Sequence, residues 1–180
     1  QTIDASAFDN GVHEPGMAAV VNPDNNEIYL AYIDNGSNGA TGISNAGDDD
    51  IRTAKYVDGG WSNTADVKTD SAGGITDLSM GIDANNGNIY IAYTERSVPG
   101  TANTADVYWA TSTSAMSSWG TEQGPVNSSS DAIYGVALNG FSDERIYVTW
   151  TGIAPDDIFG DTIADIAPFT VASSSGTQIS

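Results

Sequence analysis

Apolar residues in this chain fall in short runs separated by clusters of Pro, Asp, Asn, Gly and Ser, and the runs recur. NNEIYLAYID at 25–34 returns as NGNIYIAYTE at 86–95 and again as DERIYVTWTG at 143–152. The matched tyrosines Tyr29, Tyr90 and Tyr147 are 61 and 57 residues apart. Each copy follows a second apolar run, MAAVVN at 17–22, LSMGID at 78–83 and YGVALN at 134–139, across a polar turn of the kind a hairpin requires. Downstream, DIRTAKY at 50–56 matches DVYWATS at 106–112, with TIADIAP at 162–168 a looser third copy. Trp61 and Trp119 follow, each leading into a weak fourth run that ends near Val67 or Val126. No apolar stripe at i, i+3, i+4 persists for three turns, so helix is excluded as the main element. β-Branched and aromatic residues with Ala between them suit strands buried on both faces.

The repeat therefore predicts an all-β fold, a β-propeller-like array of three four-stranded blades. A β-sandwich or solenoid built from the same units is the alternative. The expected divisions are a strand and crossover belonging to a preceding blade at 1–15, then blades at 16–73 and 74–130, and an incomplete blade at 131–180. The tail Gly176-Thr177-Gln178 falls 56 residues after Gly120-Thr121-Glu122, so the chain is expected to stop inside a fourth strand. Three blades leave open sheet edges, which invite pairing. Self-association, six blades from two chains, or the remainder of a longer polypeptide is the expected partner.

The run Asp83-Ala-Asn-Asn-Gly-Asn-Ile-Tyr-Ile-Ala-Tyr93, with a strand ending shortly before Trp, resembles the sialidase-like propellers that carry bacterial neuraminidase repeats. Asp58-Gly59-Gly60-Trp61 is a shortened form of that family's Asp box, and the stretch from Ser114 to Trp119 keeps its Ser and Trp. The resemblance covers most of 16–170. It implies a propeller and, for an active sialidase, an arginine triad with a Tyr and Glu beside it. The chain's three arginines, Arg52, Arg96 and Arg145, occupy different blade positions and are not expected to converge.

Charge narrows the partners. Five Lys+Arg against 24 Asp+Glu give a net charge of −19, which opposes nucleic acid and anionic membrane surfaces. No run approaches the about 20 apolar residues of a membrane span, so no insertion is expected. Nineteen of the acids are Asp, the residue of turns, which places them in loops. With no Cys there is no disulfide, thiolate metal site or thiol nucleophile. Gln1 opens the chain without a basic, apolar leader, as in a mature or excised product, and an extracellular or cell-surface location is expected.

Candidate chemistry gathers on one rim, where the second-to-third loops meet the blade crossovers. Asp34, Asp48, Asp49 and Asp50 there form an oxygen-rich group that suits calcium, against the plainer reading of solvated turn caps. His13-Glu14-Pro15 loosely resembles the acidic motif opening some five-bladed glycosidases, and Glu14, Asp77 and Asp131 at the crossovers are the candidate catalytic carboxylates, since such enzymes need two. Trp109 has no aromatic counterpart at Thr53 and is the candidate ligand contact, carbohydrate or surface protein. No catalytic constellation is assembled by spacing alone. The leading reading is a non-catalytic extracellular module for recognition, adhesion or surface assembly; the alternative is a fragment of a sialidase-like glycoside hydrolase.

Overall fold

The computed structural model describes residues 16–34, 49–71, 74–83, 85–96, 105–126, 133–140, 146–152, 158–164 and 177–178. They form strands, turns and no helix. β1 (Met17–Val21), β2 (Ile28–Asp34), β3 (Asp49–Val57) and β4 (Gly60–Asn63) make an antiparallel meander, with β5 (Lys68–Ser71) pairing β3 beyond β4. A second sheet has β6 (Ile75–Ile82), β7 (Ile89–Arg96) and β8 (Ala105–Ser112). The third has β9 (Ile133–Gly140), β10 (Ile146–Gly152), β11 (Ile158–Ala164) and β12 (Thr177–Gln178). Beside β8 the 121–126 segment takes the outer place of the second sheet, with Gln123 exchanging backbone hydrogen bonds with Trp109. β5 forms because Lys68 pairs with Ile51 and Ser71 with Asp49, which continues the outer edge of β3 beyond β4.

The turn chemistry explains why the same sequence recurs at the same place. Asn22 Oδ1 accepts the amide of Asp24 and Asn25 Oδ1 that of Glu27; 61 residues on, Asp83 and Asn86 do the same for Asn85 and Asn88. Asn26 and Gly87 hold the matching left-handed position, at φ 59° and 72°. These side chains copy backbone turn bonds and fix the hairpin register. The β3–β4 hairpin uses Asp58 and Gly59, both at positive φ, across the Val57–Gly60 pair.

The sheets stack face to face through two apolar layers. Tyr29, Ala31, Ile33 and Ile51 of the first meet Leu78, Met80, Ile91 and Tyr93 of the second. Tyr90, Ala92, Val107 and Trp109 of the second meet Val136, Leu138, Val148 and Trp150 of the third. Their innermost strands run side by side, and β6 caps the free edge of β9: Asp77 Oδ2 accepts the Val136 amide at 2.9 Å, and Ser79 Oγ the Leu138 amide at 3.0 Å. An edge that would otherwise recruit a foreign strand is thus closed by side chains of its neighbour. Between the first two sheets Lys55 reaches the Ser114 carbonyl and the Trp119 indole donates to the Ala65 carbonyl.

Candidate functional site

The two best-defined polar clusters lie where β2 and β7 end, and they occupy matching positions. Pairing sets Asp34 opposite Asp50 and Glu95 opposite Asp106, so Asp34 and Glu95 are one position in the repeat. In each cluster that acid is met by a cation, drawn from a different element.

In the first sheet the cation is Arg52, whose side chain leans on the buried Asp34 carboxylate, approaches Asp50 at 3.1 Å and stands 3.9 Å from Asp66. Alternation in β3 puts residues 50 and 52 on one face, so the sequence dictates the Arg52–Asp50 contact. Burial pulls the guanidinium down, but Asp34, Asp66 and Asp50 together push it above its ordinary value. Asp66 is raised, first by burial and then by Asp50 and Asp34, despite Arg52.

In the second cluster the cation crosses between sheets. Lys68, on β5, bridges Glu95 at the end of β7 and Glu122 in the outer segment, at 2.7 Å from the latter. The Tyr93 hydroxyl donates to the same Glu122 oxygen. The ammonium also lies 5.6 Å and 5.5 Å from the ring centres of Tyr93 and Tyr108, which stack 6.1 Å apart. Burial lowers Lys68 but its two carboxylates outweigh it and the net shift is upward. Tyr93 is driven far up, by burial first and then by its bond to Glu122. Glu122 is 39% exposed against 14% for Glu95, so the cluster is open at one end. Tyr93 is fully buried and Tyr108 half-buried, so what the cluster offers outward is the exposed Glu122 carboxylate and the Tyr108 ring, a hydrogen-bonding group beside an aromatic edge.

The expected site residues are dispersed. Asp34 and Asp50 come together, though around a guanidinium; Asp49 pairs with Ser71 in the β3–β5 ladder, and Asp48 lies outside the described residues. Among the described residues no group of three or more acids or histidines is disposed to hold a metal ion. Glu14 and Asp131 lie outside the described residues, as do His13 and Arg145. Asp77 is described, and its two oxygens accept the Leu78 and Val136 amides, which makes it a clamp between sheets. Trp109 corrects the expectation of a ligand contact: it is 1% exposed and fills the layer between the second and third sheets. It departs from Thr53 because the two sites do different work, Thr53 hydrogen bonding to Thr64 and the Ala65 carbonyl.

Lys68, Tyr93 and Glu122 were missed by sequence reasoning. A signal existed for part of the cluster: Tyr93 and Glu95 are two apart in a strand, hence on one face, and Lys68 is one of only five cations. Glu122 carries no such mark.

No family model matches this sequence, and no curated protein does. Solved structures do match. The α-L-arabinanase of Penicillium chrysogenum, complexed with arabinobiose, superposes with a TM-score of 0.61 at 9% identity, over 91% of this chain and 48% of its own. The GH93 α-L-arabinofuranosidase of Fusarium graminearum gives 0.59 at 11% identity, over 87% and 46%. Zg3597, a family 117 glycoside hydrolase of the marine bacterium Zobellia galactanivorans, gives 0.54 at 14%, over 92% and 55%.

The fold is a β-propeller. The chain spans about half the length of each of these structures. The likeness reaches the propeller architecture and stops short of the neuraminidase repeats in particular.

Proposed function

We propose that this chain is part of a propeller that acts on glycosides. The observation that carries the reading is the Lys68 cluster: Glu95 and Glu122 on one ammonium, with the Tyr93 hydroxyl on Glu122 and the Tyr108 ring alongside. Glycoside chemistry needs two carboxyl groups at one site. The fold likeness to glycoside hydrolases of several families supports it, and favours it over a module without chemistry. Within that class a neutral sugar fits better than a sialoside. A net charge of −19 repels an anionic glycan, and Arg52, the described arginine side chain, is already engaged by carboxylates.

The test is product release from neutral arabino-, galacto- and manno-oligosaccharides by the polypeptide that contains this chain. Wild-type turnover, with at least a tenfold loss in both Glu95→Gln and Glu122→Gln while the fold is retained, is the expected outcome. Turnover unchanged in both variants, or none on the whole panel, overturns the reading.

A second reading, a non-catalytic extracellular module for recognition or surface assembly, is favoured by Asp77, whose carboxylate is committed to two backbone amides. It predicts oligosaccharide binding without product.

A further inference from the structure

The repeat register identifies which surface of the array lacks its cover among the described residues. Met17, Leu78 and Val136 are one position, each paired to the aromatic at the same place in the next strand: Tyr32, Tyr93 and Trp150. Ala19, Met80 and Leu138 are another, paired to Leu30, Ile91 and Val148. Leu78 and Met80 are buried against the first sheet, and Val136 and Leu138 against the second. The first copy breaks the pattern. Met17 is 60% exposed and Val21 55%, with Ala19 exposed between them. Leu30 and Tyr32 next to them are buried, so the uncovered surface is a strip along β1.

The opposite flank shows the complementary defect. Residues of the kind that cover the next inner strand are Ala18 and Ala31 in the first sheet and Ser79 and Ala92 in the second; the matching pair in the third is Ala137 and Thr149. Ser79 is engaged by the Leu138 amide, whereas Ala137 is exposed and Thr149 half-buried. One flank therefore offers Met17 and Val21, with Ala19 at the place of Met80 and Leu138, and the other the small residues that receive them.

We infer that a second copy of this chain sets its Ala137–Thr149 flank on the Met17–Ala19–Val21 strip, and receives the reciprocal contact at its own strip. The junction follows the apolar part of the internal ones, side chains of an inner strand against small residues of the preceding sheet, with Ala137 in place of the Ser79 that accepts the Leu138 amide. One chain covers 46–55% of similar propellers, and a second copy would supply about the remaining length. A head-to-tail contact that closes after two chains leaves neither flank open.

Sedimentation and light scattering on the 180-residue chain test this. The expected mass is twice 18.6 kDa. Met17→Glu on one flank and Ala137→Glu on the other should each reduce it to the single-chain value, with near-ultraviolet circular dichroism unchanged. The two substitutions lie on different sheets, so either variant alone keeps the test alive if the other misfolds. A wild-type chain that stays at 18.6 kDa at every concentration, as it would if flanking sequence of a longer polypeptide supplies the cover, overturns the inference. So does a double-mass particle that persists in a folded variant.

Discussion

Lys68 shows how a single cation shapes this acidic protein. It is one of five against 24 acids, and it satisfies two carboxylates from a sheet other than its own. Replacing it by Met removes the ammonium that Glu95 and Glu122 share, and should cost about 1–2 kcal/mol of stability in urea melts, less than the about 3–5 kcal/mol of a fully buried pair because Glu122 is 39% exposed. The pH response follows from the same residues. Folded Lys68 and Tyr93 hold their protons to higher pH than the unfolded chain, whose ordinary values are 10.5 and 10.0. Their stabilisation is complete below about pH 10 and is lost as pH rises beyond it. Stability measured from pH 8 to 11 should fall most steeply at the alkaline end, and less so in Tyr93→Phe. Asp66 behaves oppositely to a paired acid: its folded value is raised above 3.8, so its ionisation at neutral pH opposes folding. Asp66→Asn should melt higher than wild type at pH 7, with the advantage gone near pH 4.

Among the elements, the hairpins were the most legible in advance. The alternation and the Asn/Asp/Gly turns located β1, β2, β6 and β7, because the Asx bonds at Asn22, Asn25, Asp83 and Asn86 are written into the turn residues. The outer segments were legible only as a Trp followed by weak apolar residues. The 121–126 segment meets β8 by few bonds, and its position depends on Gly124, where an added Cβ would stand 2.9 Å from the Val107 carbonyl at φ 129°. Gly124→Ala should destabilise by about 2 kcal/mol, read from thermal melts, since both the backbone angle and the close approach are lost. The site residues were hidden for a different reason. Trp109 looked like a ligand contact because it broke the repeat, yet breaks in a repeat also mark changes in packing between neighbouring sheets. The Lys68 cluster draws on three separate strands or segments, and no spacing along one of them announces it.

At the scale of the whole molecule, the repeats stack in order, β6 and β9 each covered by the sheet before it. That stacking places Lys68 between its two acids, commits Asp77 to the next sheet and, among the described residues, leaves β1 uncovered. Asp77→Ala should cost about 1–3 kcal/mol in denaturant melts, because the Val136 amide loses its acceptor at a partly buried edge. Amide hydrogen exchange of β9, followed residue by residue, tests the stacking most directly. In the wild-type chain the Val136 and Leu138 amides should exchange as slowly as paired strand amides, and Asp77→Ala should release Val136 while Leu138 stays protected by Ser79. Val136 exchanging in the wild type as fast as an open edge amide, or unchanged in Asp77→Ala, would contradict it.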